Sequence, residues 1–244
     1  MKRICSTIAA LAMMACVSAC SSLPQDGDLV ADPLEDFNRG IHSFNKGLDT
    51  AVLKPASQVY GVAAPDLFKM LFGNAVNHLQ LPGIFVNHVL QGNADSAVST
   101  LGRFVINTVG GGGLLDPASE GGLPPEPTDF GLTLATWGME EGAYVELPFF
   151  GPSTARDTLG RIVDSALQPT TYISGGTEVQ IASATVQALT IVDARDRNAV
   201  LIDDLLYRSE DSYVTLRSNY IQNRRRMVSG GETDVDALPD LFSE

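Results

Sequence analysis

The side chains of this sequence best suited to proton transfer or metal ligation are its three histidines, His42, His78 and His88. Their spacing makes no metal site; His78 and His88 stand ten residues apart. The sequence holds neither a G-x-S-x-G nucleophile elbow nor an H-E-x-x-H zinc motif. Carboxylates are plentiful in the second half, but none is paired with an apolar setting that would tune it for acid–base work. The run Gly110-Gly111-Gly112-Gly113 could cradle a phosphate, yet a dinucleotide loop follows a strand and opens a helix. Here the glycines follow a helical stretch, which favours a hinge or a close backbone approach. These residues predict a protein that is not an enzyme and carries no metal and no cofactor.

The chemistry that the sequence does announce is at its start. Lys2 and Arg3 precede the apolar run Ile4–Val17, which is too short to span a bilayer, and small residues follow. Residues 1–19 therefore read as a secretory signal. Val17-Ser18-Ala19-Cys20 resembles a bacterial lipobox, in which the cysteine becomes the lipidated first residue. Cys16 has a poorer approach, Met13-Met14-Ala15. Ser21 after Cys20 fits the lipoprotein pattern for the outer membrane. Cys5 and Cys16 leave with the signal and Cys20 is acylated, so no disulfide is expected in an oxidising compartment. Removal of Lys2 and Arg3 leaves 14 basic residues against 29 acidic ones, a net charge of −15. Such acidity argues against nucleic acid and against electrostatic docking to anionic lipid, leaving covalent and apolar attachment.

Residues 20–31 read as a lipidated tether and 229–244 as an acidic disordered tail. Between them, Asp32-Pro33-x-Glu35 looks like a capped helix start, with Leu34, Phe37, Ile41, Phe44 and Leu48 at helical spacing. Lys54-Pro55 should end this element. Met70–Ala94 contains no Asp, Glu, Lys or Arg, but Asn74, Asn77, Gln80, Asn87, Gln91 and Asn93 are threaded through apolar residues. Two accounts fit: a core helix hairpin of a large globular domain, or a helix pair lying in a bilayer and wet only along an internal path. Pro82-Gly83 predicts a break, and Gln91-Gly92-Asn93 a stop. A third helix is expected from Ala94 to Val109, with Ala94, Val98, Leu101 and Val105 in one stripe and Arg103 at the surface.

Thr133–Trp137 and Tyr144–Leu147, separated by a Gly-bearing segment, predict a hairpin-like loop. The lone Trp137 suits a membrane interface or a core equally well. Ser153 is expected to cap the next helix. Thr177–Val192 is apolar on most sides and should be buried, with Asp193–Arg197 leading it back to water. Tyr213, Leu216, Tyr220 and Met227 predict a last helix whose Arg224-Arg225-Arg226 end suits the helix dipole.

The blocks Asp32-Pro33-Leu34-Glu35-Asp36-Phe37-Asn38-Arg39, Phe44-Asn45, Asn87-His88-Val89-Leu90-Gln91-Gly92, Arg103-Phe104-Val105-Ile106-Asn107-Thr108, Asp129-Phe130-Gly131-Leu132, Trp137-Gly138 and Gly151-Pro152-Ser153-Thr154-Ala155-Arg156-Asp157 are together similar to the MlaA (VacJ) family of outer-membrane lipoproteins. The similarity covers roughly residues 32–226, within a single helical domain of residues 32–228. It implies an all-α, ring-like bundle of amphipathic helices in the inner leaflet of the outer membrane, on its periplasmic face. It also implies an amphipathic channel that removes misplaced phospholipids and passes them to a periplasmic carrier, MlaC, with a trimeric porin as partner. Phe44, Asn45, Asn74, Asn77, Asn87 and Gln91 become candidate channel residues. The family's gating loop maps onto Trp137–Tyr144, with Gly138 and Gly142 as candidate hinges and Glu140 and Ala143 departing from the usual Gly and Pro. A structural, porin-associated lipoprotein without transport activity is the alternative.

Overall fold

The computed structural model describes residues 32–168 and 176–230. The signal, Cys20 and its tether, and the tail beyond Gly230 lie outside the described residues. The chain is mostly helical, with one small two-stranded sheet. It begins with α1 (Glu35–Leu48), a π-helical turn (Asp49–Leu53) and α2 (Lys54–Ala63). Lys54-Pro55 therefore does not end the first element. Proline's missing N–H falls in the first turn of α2, where a helix leaves its donors free, and the widened turn before it accommodates the ring. Asp32 does not cap α1 with its side chain either. Its carboxylate instead accepts from Asn38 Nδ2 (2.8 Å), Arg217 (2.7 Å) and the Tyr213 hydroxyl.

One helix, α3 (Asp66–Leu90), runs through the expected break at Pro82-Gly83. A proline costs one backbone hydrogen bond and crowds the carbonyl four residues back. The turns on both sides keep theirs, and Leu81, Asn87 and His88 are buried against neighbouring elements. The helix stops at Leu90 as the sequence signals. Asn93 then caps α4 (Ala94–Gly111), accepting from Ser96 N at 3.2 Å. A short helix, α5 (Pro117–Glu120), folds back on it.

Both α1 and α4 are inverted relative to the helices of a water-soluble domain. On α1 and the turn after it the inward residues are Asn38, His42 and Asp49, while Phe37 (61% exposed) and Phe44 (48%) face out. On α4 Ser96, Thr100, Arg103 and Asn107 are buried, while Val98 (70%), Val105 and Val109 (84%) are exposed. Arg103 is thus not a surface residue. It donates to Asp116 (2.9 Å), to Ser119 Oγ (2.8 Å) and to the Leu123 carbonyl. Burial acts to raise the Asp116 carboxyl, but hydrogen bonds from Ser119, Asn107 and Arg103 outweigh it and hold the group at about 2.

After α6 (Phe130–Thr136), β1 (Tyr144–Leu147) pairs antiparallel with β2 (Gly151–Thr154), Tyr144 opposite Thr154 and Leu147 opposite Gly151. A hairpin is present, but its partner strand follows β1. Thr133–Trp137 belongs to α6 and its C-cap, because Asp129 caps that helix by accepting from Leu132 N at 2.9 Å. Thr154, not Ser153, caps α7 (Ala155–Leu167). The helices α6 and α7 meet at Gly131 and Gly160; a Cβ at Gly160 would lie 2.4 Å from Gly131 N.

The chain closes with α8 (Thr177–Arg197), α9 (Ala199–Asp203), a π-helical turn (Asp204–Arg208) and α10 (Ser212–Val228). The burial expected for α8 is reversed. Ile181 (61%) and Ile191 (49%) are exposed, whereas Asp193 and Arg195 are buried against α2 and the π-helical turn before it. Hydropathy marks a helix that avoids water; it does not separate a protein core from lipid. Among the described residues no helix is long and apolar enough to cross a membrane.

Candidate functional site

The inward face of α1 meets β1, the segment 202–206 and α10 around a cavity of about 210 Å³. Its apolar wall includes Leu48, Leu53, Ile202, Leu205, Leu206 and Leu216, and its polar end is His42, Asn45, Lys46, Asp49 and Glu146. His42, Asn45 and Lys46 recur at helical spacing on α1 and Asp49 continues that face into the π-helical turn, while Glu146 is brought in by β1. His42 Nε2 and Lys46 Nζ both reach Ser212 Oγ, at 2.9 and 3.2 Å. His42 Nδ1 lies 3.6 Å from Glu146 Oε1. Glu146 is 1% exposed and accepts from the Tyr144 hydroxyl. Asp49 is held by Arg195 at 2.8 and 3.1 Å and by the Tyr207 hydroxyl at 2.7 Å.

Burial, reinforced by Glu146, pushes the Tyr144 hydroxyl far above its ordinary range. Burial and Asp32 do the same for Tyr213. Both phenols therefore stay protonated donors to their carboxylates. Among the described residues no three His, Cys, Asp or Glu side chains converge to hold a metal ion. The arrangement offers fixed charges beside an apolar wall, suited to binding an amphiphile.

The structure divides the six candidate channel residues into three places. Asn45 lines the cavity and clips α1 to the hairpin: it donates to Leu147 O at 3.0 Å and accepts from Phe149 N at 2.9 Å. Phe44 stacks edge-on against Phe149, 5.4 Å between ring centres. Among the described residues Phe149 is the non-glycine residue with a left-handed backbone, φ 68°. A conformation of this kind costs on the order of 1–3 kcal/mol and persists where surrounding contacts impose it. Asn74 reaches the Leu114 carbonyl at 3.0 Å, and Asn77 is exposed on the same helix. Asn87 and Gln91 belong to a separate polar lock. Asn87 donates to Asp164 (2.9 Å) and accepts from Thr133 (2.8 Å), and Gln91 donates to Thr128 and Thr133.

In the loop after α6, Gly138 (φ 88°) and Gly142 (φ 69°) both have left-handed backbones, which a glycine adopts without a steric cost. The loop is tied down by charge and backbone. Glu141 pairs with Arg225 at 2.5 Å, and Arg156 N donates to Glu141 O at 3.2 Å. Trp137 Nε1 donates to Leu90 O at 3.0 Å while its ring is 56% exposed.

Sequence reading missed the side chains that order this end of the molecule. Arg224 does not serve the helix dipole. It is buried, bound to Asp129 (2.6 Å) and Asp157 (2.8 Å), and Tyr220 also donates to Asp157 at 2.7 Å. Burial opposes ionisation of Asp157, but its hydrogen bonds and attraction to Arg224 prevail and hold its carboxyl below the usual range. Nothing in a single sequence links residues that far apart. For Lys46, however, a polar stripe along α1 and into the turn after it (Asn38, His42, Asn45, Asp49), at the spacing of its apolar stripe, was available as a signal.

A profile for the MlaA lipoprotein family matches residues 30–227. The intermembrane phospholipid transport system lipoprotein MlaA of Escherichia coli K12 is 30% identical over 91% of this chain and 88% of its own length. Its Haemophilus influenzae counterpart is 34% identical over 86% and 84%. An uncharacterised Rickettsia felis protein is 36% identical over 82% and 78%. A solved structure, described as the structural basis for maintenance of bacterial outer membrane lipid asymmetry, superposes with a TM-score of 0.70 at 30% identity. The match covers 81% of this chain and 99% of that one. With its described helices matched almost throughout, the chain belongs to the MlaA lipoprotein family.

Proposed function

We propose that this protein is an outer-membrane lipoprotein, anchored through Cys20 on the periplasmic face, that takes part in retrograde intermembrane phospholipid transport. In this reading it removes misplaced phospholipids from the outer leaflet through an amphipathic channel and passes them to a periplasmic carrier of the MlaC type. A trimeric porin is its partner in the membrane. The observation that carries the reading is the inversion of α1 and α4, apolar residues outward and amides, charges and hydroxyls inward. Such a molecule is suited to a lipid surround and a polar interior. Phe44 and Asn45, clipped to the hairpin, form one closing contact of the channel. Asn74 and Asn77, and the Asn87–Gln91 lock, line or brace the headgroup route. Gly138 and Gly142 are the hinges of the gating loop. Ser212, His42 and Glu146 do stand in a row, Ser212 Oγ 2.9 Å from His42 Nε2 and His42 Nδ1 3.6 Å from Glu146. Ser212 is buried, however, and its Oγ also accepts from Lys46, which favours a packing contact over a phospholipase nucleophile. Fatty-acid release by the purified protein would reverse that reading, and no cofactor is invoked.

The test is the amount of phospholipid in the outer leaflet of a strain lacking the protein, complemented with wild type or with Cys20→Ala. The reading expects a rise in the deletion strain, reversed by wild type and not by Cys20→Ala. No rise, together with a loss of porin trimers, would replace transport by a structural, porin-associated role.

A further inference from the structure

The cavity between α1, the hairpin and α10 contains a buried carboxylate that the protein leaves poorly matched. Glu146 is 1% exposed, and its ion-pair partner among the described residues is His42, at 3.6 Å. Glu146 Oε2 accepts from the Tyr144 hydroxyl. Oε1 has only long contacts, Asn45 Nδ2 at 3.4 Å and His42 Nδ1 at 3.6 Å. A carboxylate oxygen accepts about two good hydrogen bonds, so Oε1 retains capacity for a donor. A buried charge lacking a close counter-charge is costly, and a ligand cation relieves that cost. His42 is 5% exposed, and its Nδ1 has no hydrogen-bond partner.

The opposite charge stands on the other side of His42. Lys46 lines the same cavity, and its ammonium shares Ser212 Oγ with His42 Nε2. Lys46 is half-buried, so its remaining donors are open to an anion. Anion-binding and cation-binding groups are thus held a few side chains apart, against a wall of leucines and isoleucine. At about 210 Å³ the cavity is smaller than the roughly 300–1,000 Å³ that encloses a drug-sized ligand. It fits a headgroup and the start of a chain, not a whole lipid.

We infer that this cavity is a headgroup site for a zwitterionic phospholipid bearing a primary amine, with the phosphate at Lys46 and the ammonium at Glu146. The inference rests on the transport reading for its ligand class and adds a headgroup preference to it. The aliphatic wall takes the first carbons of the chains, and the exposed rings of Phe149 and Phe150 stand where they leave.

The experiment is calorimetric titration of the full lipidated chain in non-ionic detergent with four probes. These are dihexanoyl-phosphatidylethanolamine, dihexanoyl-phosphatidylglycerol, phosphoethanolamine without chains, and inorganic phosphate. The site predicts a preference of roughly tenfold for the ethanolamine lipid over the glycerol lipid, the scale of one added charged hydrogen bond. Phosphoethanolamine binds weakly and inorganic phosphate more weakly still. Glu146→Gln keeps an acceptor for Tyr144 and should bring the two lipids to equal affinity. Lys46→Gln should weaken both lipids by a similar factor. Equal binding of the two lipids by wild type, an unchanged preference in Glu146→Gln, phosphate binding as tightly as lipid, or no binding at all would each overturn the site. Outer-leaflet phospholipid in the same strains separates the two claims. Equal affinity of the wild type for the two lipids with normal asymmetry refutes the headgroup site alone, while a wild-type preference together with asymmetry that the wild type does not restore refutes transport.

Discussion

Around the hairpin and α10 a small apolar cluster of Tyr144, Tyr213 and Ile221 is ringed by buried ion pairs, with Arg224 on Asp129 and Asp157, Arg217 on Asp32, and Asn38 joining Asp32 to the Tyr144 carbonyl. In the arm formed by α3 and α4 most ties are uncharged. Asn74 reaches Leu114 O, the ring of His78 stacks on Phe104 at 4.9 Å, Asn87 and Gln91 hold Thr133, and the ion pairs are Lys69 with Asp196 and Arg103 with Asp116. Much of the arm's apolar surface faces outward, Leu67, Val98 and Val109 among it, although Leu81 is buried. Ionic contacts with several partners impose one geometry, so the first region is built as a frame. The second owes little to apolar burial inside the protein, so its apolar surface is available to lipid. A water-soluble domain of this size would concentrate its large apolar side chains inside.

The largest effect should come from the frame. Asp157→Ala leaves Arg224 short of a buried partner and should cost about 3–5 kcal/mol, read by denaturant unfolding in detergent. Replacing the pair by Asp157→Leu with Arg224→Met should cost less than the single change; an equal or larger loss would break the comparison. On the arm, Asp116→Ala should cost about 2–3 kcal/mol through Arg103 and the α4–α5 connection. The pH dependence follows from the same group. The folded carboxyl of Asp116 titrates near 2, below its ordinary 3.8. Its stabilisation is complete above about pH 4 and is lost as pH falls towards 2. The thermal midpoint of Asp116→Asn should therefore vary less between pH 4 and 2 than that of wild type. Phe149→Gly relieves a left-handed backbone but removes the ring packed on Phe44. Stability should change by about 1 kcal/mol or less, while detergent sensitivity of the outer membrane rises. Smallest of all, Val105→Ser on the exposed face of α4 should leave unfolding in detergent within about 0.5 kcal/mol of wild type, and a larger loss would place that face in a core.

Helix positions were largely legible, because apolar spacing reports a helix whatever solvent its apolar face meets. The stripes Leu34-Phe37-Ile41-Phe44 and Val98-Leu101-Val105 mark α1 and α4 correctly. Which face turns inward was not legible, since lipid and protein interior reject the same side chains. The burial expected of α8 failed for that reason. Pro82 and Pro55 misled in another way: local propensity predicts interruption, and tertiary packing together with a π-turn carried the helix on. The hairpin was placed at β1, but its partner was sought upstream because Thr133–Trp137 alternates weakly, whereas Asp129 commits that stretch to a helix. At the site, Asn45 became a candidate through the family resemblance, and the structure puts it on the cavity wall. Lys46, Ser212 and Glu146 become one cluster only through contacts between distant segments.

The most direct test is the depth of the arm in a bilayer. A spin label at Val105, compared with one at Glu120, should be more accessible to oxygen than to a water-soluble nickel chelate when the lipidated protein is reconstituted in vesicles. The account predicts lipid-like accessibility at Val105 and water-like accessibility at Glu120. Water-like accessibility at both would contradict it and place the exposed face of α4 in water.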